Sequence, residues 1–154
     1  MRVAKRPEPI GLKLTRTSRR VSRAFDAALA EGGGSLPLWL VLLELKSGGH
    51  AAQRELAEAI GIEGATLTHH LNRMEDEQLI ARKRDPENRR VQLVSLTEAG
   101  EQLFQRLLTR VIAFDRQLRA GLSEEALAHL REALDVLERN VSKANSNEKG
   151  GETS

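Results

Sequence analysis

Residues 53–101, QRELAEAIGIEGATLTHHLNRMEDEQLIARKRDPENRRVQLVSLTEAGE, decide the fold of this protein. In their first half, apolar residues recur every three or four positions, which predicts two helices, 53–60 and 64–78, with a tight turn starting at Gly61. In their second half, apolar and polar residues alternate after a turn-rich charged segment, which predicts a β-hairpin. Short helix, turn, helix and hairpin is the order of a winged helix-turn-helix.

The flanking sequence is helical by the same criterion. An apolar stripe predicts a first helix that ends near Gly32, and an almost wholly apolar segment over 38–45 predicts the most buried helix. Thr97 and Ser123 are predicted N-caps of two long helices that follow the hairpin. The predicted fold class is mainly α with a small β-hairpin wing, a winged helix-turn-helix domain plus a helical dimerisation region. The predicted boundaries are a flexible basic arm over 1–9, a single domain over 10–142 (dimerisation helices about 10–31 and 100–142, winged helix-turn-helix about 36–97) and a disordered tail over 143–154.

Composition excludes several classes of protein. The chain has 154 residues with 40% hydrophobic and 30% charged side chains, which is typical of one globular domain. Cysteine is absent, which excludes disulfides, thiol catalysis and Cys-ligated metals. The longest apolar run, 36–43, is far shorter than the roughly 20 residues of a membrane span, so we expect a cytoplasmic protein without a membrane partner. The net charge is +2, but residues 1–23 carry eight Lys/Arg against Glu8, which favours a polyanionic partner.

The candidate DNA-binding residues lie on the second helix and in the hairpin loop. Short hydrogen-bonding side chains near a helix N-terminus can reach base edges, and loop cations can follow the phosphate backbone or enter a minor groove. The candidates are Thr66, Thr68, His69, Asn72, Arg73, Arg82, Arg84, Arg89 and Arg90. Each feature also has a plainer interpretation, since every amphipathic helix has a polar face and a charged hairpin can simply keep a protein soluble.

Several segments of this stretch occur in the order and spacing of one known family. They are Leu56-Ala57, Ile60-Gly61, Thr66-Leu67-Thr68, Leu71, Met74-Glu75, Leu79-Ile80, the loop from Arg84 to Arg90 and the run from Leu93 to Gly100. The chain resembles the MarR family of bacterial transcription regulators, in particular its SlyA-type members, over roughly residues 10–142. The resemblance implies a homodimer that places a recognition helix, about 65–79, in each of two successive major grooves. It also implies that Arg90 enters the flanking minor groove. Where the family usually has Asp before the Arg-Arg pair this sequence has Asn88, so Arg90 is expected to be aimed less rigidly.

The resemblance further implies a dimer interface and a small-molecule effector. The first helix and the last two would pack across a two-fold axis, and their apolar stripes exceed what one small winged domain could cover. The candidate interface residues are Ile10, Leu14, Leu118, Leu127, Leu130, Leu134 and Leu137. A small aromatic or phenolic effector would relieve repression, and the candidate effector-binding residues are Phe25, Trp39, Leu43 and His69. The simpler interpretation is that Trp39 belongs to the core.

Other functions have less in their favour. No phosphate loop, nucleophile elbow, HExxH or paired carboxylate with a partner base occurs, so we expect neither an enzyme nor a cofactor. The four histidines are not spaced as ligands of one metal, so no metal site is expected. The alternative to a DNA-binding regulator is a helical protein–protein adaptor that uses its winged helix without specific DNA binding.

Overall fold

The computed structural model describes residues 7–48 and 50–149. Within these residues the chain forms six helices and three strands. The elements are α1 (Ile10–Glu31), α2 (Leu36–Gly48), β1 (His50–Ala52), α3 (Gln53–Ile60), α4 (Gly64–Asp76), β2 (Ile80–Arg84), β3 (Gln92–Leu96), α5 (Glu98–Leu118) and α6 (Glu124–Lys149). The predicted fold class, a mainly helical winged helix-turn-helix, is confirmed. The chain divides after Phe114 into two compact units, of which the first holds α1 to β3 and most of α5.

The sheet has one strand more than the predicted hairpin. Its order is β1-β3-β2 and both pairings are antiparallel, with Ala51 opposite Val94 and Arg82 also opposite Val94 on the other side. β1 was not predicted, because three residues are too few to show an alternating pattern. Only the pairing with β3, more than 40 positions away, makes this segment a strand.

The core of the first unit is aliphatic and centres on α2. This helix buries Trp39, Val41, Leu42 and Leu45, a larger share of its residues than any other described helix, as predicted. The core also takes in Leu56 from α3, Leu67 and Leu71 from α4, and Leu107 from α5. The helix-turn-helix and the wing are therefore built on one continuous hydrophobic core, which removes apolar surface from water and holds both elements in place.

The recognition helix is shorter than predicted. It ends at Asp76, and Gln78, which was expected to be its last residue, is exposed with φ +59°. The Leu79 N–H donates to the Met74 carbonyl at 2.9 Å and the Gln78 N–H donates to the Glu75 carbonyl at 2.9 Å. These two bonds form a Schellman motif with a left-handed residue after the cap. The motif turns the chain so that Ile80 can pair with Leu96 in the sheet.

The last helix is longer than predicted. It continues to Lys149, whereas a disordered tail was expected from 143 onward. Residues 143–149 contain neither Gly nor Pro, so nothing in them stops a helix before Gly150-Gly151. The expected disorder of 150–154 lies outside the described residues, as does most of the predicted arm, residues 1–6.

Among the described helices none is long and apolar enough to cross a membrane alone. The pair α1 and α2, bent by 73°, passes the same test together on length and composition.

Candidate nucleic-acid interface

A tight turn and a pair of side-chain hydrogen bonds set the angle between α3 and α4. Gly61 has φ +75°, a left-handed conformation that glycine adopts without steric cost, and its N–H donates to the Ala57 carbonyl at 2.9 Å. Gln53 Nε2 donates to Thr68 Oγ1 at 2.7 Å, and that hydroxyl donates to the Gly64 carbonyl at 2.9 Å. Thr68 is half-buried and holds α3 on α4, which differs from the exposed position expected of a base-contacting residue.

The other predicted residues of α4 are exposed. Thr66, His69, Asn72 and Arg73 all face solvent, and His70 is half-buried. Arg73 Nε donates to Glu77 Oε1 at 3.0 Å, yet 78% of the arginine side chain remains exposed. An exposed ion pair of this kind contributes little to stability, so the Arg73 guanidinium can change partners at small cost.

Arg82 lies in a different environment from the predicted one. Its side chain is only 15% exposed, Nε donates to Glu75 Oε2 at 3.0 Å, and Nη2 donates both to that oxygen and to Asn72 Oδ1, the latter at 2.7 Å. These bonds lower the pKa of the Glu75 carboxyl below its ordinary value, chiefly through the side-chain hydrogen bond from Arg82. The Arg82 guanidinium thus joins β2 to α4, whereas it was expected among the exposed cations of the hairpin loop. Its contact with DNA stays a prediction.

The loop between β2 and β3 is an ordered turn with cations on its outside. The Asp85 N–H donates to the Val91 carbonyl at 2.9 Å, and the Arg90 N–H donates to Asn88 Oδ1 at 3.2 Å. Among the described residues, no ion pair involves the exposed cations of this wing, which are Lys83, Arg84, Arg89 and Arg90. Asn88 therefore shapes the backbone that carries Arg90, while the Arg90 side chain is left without a charged partner there.

A groove of about 1030 Å³ lies between the helix-turn-helix and the wing. Its walls come from α3, the turn after Gly61, the start of α4, and the segment from Arg90 to Gln92. None of the four candidate effector-binding residues lines it.

The candidate effector residues are distributed over the core and the surface. Trp39 is 5% exposed and stacks on Phe104, with ring centroids 5.3 Å apart and planes inclined by 7°. Phe25 is half-buried with its ring centroid 5.1 Å from that of Phe114. Leu43 and His69 are exposed. Because Trp39 is buried and Phe104 covers one face of its ring, the simpler interpretation of Trp39 as a core residue is favoured.

Most candidate interface residues are exposed in the single chain. In the first unit Ile10 is 66% exposed and Leu14 is also exposed. In the second unit Leu118, Leu130 and Leu134 are exposed and Leu137 is half-buried, whereas Leu127 is only 7% exposed. Leu127 thus differs from the others, since a side chain already buried in one chain has little surface left to offer a partner.

Comparison with known proteins agrees with this architecture. Residues 35–91 match the model of the MarR family. The uncharacterized HTH-type transcriptional regulator YwoH of Bacillus subtilis (strain 168) is 26% identical over 121 residues, which cover 77% of this chain and 88% of YwoH.

The solved structures that share the fold include two transcriptional regulators. AbsC, a MarR family transcriptional regulator from Streptomyces coelicolor, superposes with a TM-score of 0.80 at 22% identity, over 93% of this chain and 99% of AbsC. The transcriptional repressor CouR, bound to a 23-mer DNA duplex, gives a TM-score of 0.78 at 25% identity, over 84% of this chain and 92% of CouR. The SlyA-type subgroup stays a prediction. The matched family model confirms the predicted resemblance to the MarR family over residues 35–91, which span α2 to β2 and the loop of the wing.

Proposed function

We propose that this protein is a homodimeric, sequence-specific regulator of transcription that binds double-stranded DNA and represses its target genes. One observation carries the proposal. An exposed polar face of α4, with Thr66, His69, Asn72 and Arg73, belongs to the same compact unit as a wing with four exposed cations that lack ion-pair partners among the described residues. The helix can contact base edges while the wing contacts phosphates.

Two further observations support parts of this proposal. CouR, which shares the fold at 25% identity, is a repressor that was solved on a DNA duplex. For the homodimer, large apolar side chains are exposed on α1 and α6, among them Ile10, Leu12, Leu130 and Val141. Exposed apolar surface of this extent is typical of an interface, and a two-fold dimer would select a pseudo-palindromic site with half-sites about 34 Å apart.

The proposal is tested by binding and mass measurements on the full chain. Sedimentation equilibrium should give a dimer, and fluorescence anisotropy with duplexes from a randomised selection should give a symmetric preferred site. Affinity should fall by orders of magnitude between about 50 and 200 mM salt, because each phosphate contact releases counterions. A monomer at micromolar concentration, or no duplex binding at low salt, would favour the protein–protein adaptor instead.

For regulation, we propose a small aromatic acid that weakens DNA binding. The support is the family resemblance together with the exposure of His69 on α4 and of Leu43 on α2. Because Trp39 is only 5% exposed, a ligand that reaches it must displace part of its packing and so change the tryptophan emission. Titration with salicylate should give a saturable change in emission together with release of DNA. A flat titration up to millimolar concentrations would remove the effector from the proposal and leave DNA binding untouched.

A further inference from the structure

We propose that Arg82 is a positioning residue that turns the amide group of Asn72 outward, so that Asn72 presents a hydrogen-bond donor to the DNA and favours guanine over adenine. This inference rests on the proposed DNA-binding function and adds a rule for base preference to it. It uses three residues that the structure brings together from α4 and β2, which are Asn72, Glu75 and Arg82.

The orientation of the Asn72 amide follows from the chemistry of its neighbour. A guanidinium has only donors, so the Asn72 atom that lies 2.7 Å from Arg82 Nη2 must be the carbonyl oxygen. The NH₂ group of the same amide therefore points away from Arg82. Asn72 is exposed, so its NH₂ group is available to a ligand in solution.

Glu75 and the strand keep Arg82 in place. The Glu75 carboxylate accepts hydrogen bonds from both Nε and Nη2 of Arg82, one turn along α4 from Asn72. Such charge-assisted bonds are stronger than neutral ones, and this guanidinium is mostly withdrawn from solvent. The backbone of Arg82 is paired with Val94 in the sheet. Arg82 is thus restrained at both its backbone and its guanidinium. If the Asn72 amide rotated by half a turn, its NH₂ group instead of its oxygen would face the Arg82 guanidinium, and that hydrogen bond would be lost.

This restraint changes what Asn72 can recognise. A free asparagine reads adenine with two bonds, accepting from N6–H₂ through its oxygen and donating to N7 through its nitrogen. The Asn72 oxygen already accepts from Arg82, and the guanidinium beside it disfavours the approach of a second donor such as adenine N6–H₂. Asn72 therefore offers mainly its NH₂ group. Guanine presents two adjacent acceptors, N7 and O6, in the major groove, and no donor that needs the missing oxygen. The base opposite Asn72 is therefore expected to be guanine.

The test is a double-mutant cycle on base preference in the full-length dimer. The position read by Asn72 is the one at which Asn72→Ala loses discrimination in a randomised-duplex selection. At that position, wild type should prefer guanine over adenine, and Arg82→Met should reduce this preference by about fivefold or more, because the amide can then turn to read adenine. In the Asn72→Ala background, Arg82→Met should change the preference no further.

Matched variants separate positioning from simple loss of charge. Arg84→Met removes an exposed cation from the same strand and should weaken all duplexes alike without altering base preference. Glu75→Gln should shift the base preference in the same direction as Arg82→Met. It therefore provides a second measurement of the effect if Arg82→Met does not fold. An unchanged preference in both variants, or an equal effect of Arg82→Met with Asn72 absent, would overturn the inference. Wild type that binds no duplex would instead overturn the proposed function.

Discussion

The hydroxyl of Thr97 donates a hydrogen bond of 2.6 Å to the carbonyl oxygen of Gln78. The Thr97 N–H donates to the neighbouring Leu79 carbonyl at 3.1 Å, and the Gly100 N–H donates to Thr97 Oγ1 at 3.1 Å, which caps α5. One threonine therefore joins the exit of the recognition helix to the start of the long helix. Because this exit sets where β2 begins, Thr97 helps to fix the wing relative to α4.

Replacing Gly100 with alanine should destabilise the protein, because this junction leaves no room for a side chain. A Cβ at this position would lie 2.0 Å from the Leu79 carbonyl oxygen, a backbone atom that cannot rotate away. We expect Gly100→Ala to lower the free energy of unfolding by about 1–3 kcal/mol, as overpacking does elsewhere. Chemical denaturation measures this, with Gly64→Ala as control, since no atom lies within 4 Å of a Cβ there. Equal losses in both variants would contradict the close approach.

Gln78→Gly should stabilise the protein. Gln78 has φ +59° after the cap of α4, a conformation that costs a non-glycine residue about 1 kcal/mol. The glycine variant avoids this cost, but its unfolded chain has more conformational freedom, which offsets part of the benefit. We therefore expect the free energy of unfolding to rise by about 0.5 kcal/mol. The midpoint of urea unfolding should rise. Glu77→Gly, one residue earlier with ordinary φ −80°, should lower it, and a fall in both variants would contradict the strain at Gln78.

Arg90→Ala should weaken binding to every duplex by a similar factor. Arg90 is exposed, and its backbone N–H bond to Asn88 Oδ1 survives the substitution. If each Arg90 contacts one phosphate, the plot of the logarithm of the association constant against the logarithm of the salt concentration should become less steep by about one unit for each subunit. Arg106→Ala removes one exposed cation from α5 and serves as control. An unaltered affinity of Arg90→Ala would remove the wing from the DNA interface.

Asn88→Asp should tighten DNA binding. The aspartate oxygen can still accept from the Arg90 N–H at the present 3.2 Å, and its charge adds attraction to the Arg90 side chain. Asn88→Ala loses the acceptor and should loosen the turn, so that binding weakens. The dissociation constants of the three proteins on one duplex should follow the order Asp, Asn, Ala from tightest to weakest. Weaker binding by the aspartate variant would mean that its charge repels the phosphates more than it orients Arg90.

The Glu75–Arg82 pair should make the stability of the protein depend on pH in the acidic range. Because Arg82 holds the pKa of Glu75 below its ordinary value of 4.5, the folded state binds the proton less tightly than the unfolded state does. The pair therefore stabilises the protein fully above pH 4.5, and this contribution is lost as the pH falls through the lowered pKa. Wild type should be more stable than Glu75→Gln at pH 7, and the difference should shrink toward pH 3. A constant difference over that range would contradict the pairing.

Local sequence predicts the helices and the wing well because their signals lie within a few residues. The periodicity over 53–60, the glycine at 61 and the caps at Thr97 and Ser123 each act on neighbouring backbone, and the structure confirms all four. Exposure of most polar residues of α4 follows from the same periodicity. The exit of α4 was predicted less well, because Gln78 is left-handed without being a glycine.

What the sequence by itself determined is the order of elements, the apolar faces that bury the core, and the cations that line the wing. Only the tertiary structure decided which of the polar side chains remain free. Thr68 is engaged by Gln53 fifteen positions away, Arg82 by Asn72 and Glu75 on another element, and β1 by β3. The physical reason is that a hydrogen bond or ion pair needs its partner within about 3 Å, and folding alone brings such distant positions together.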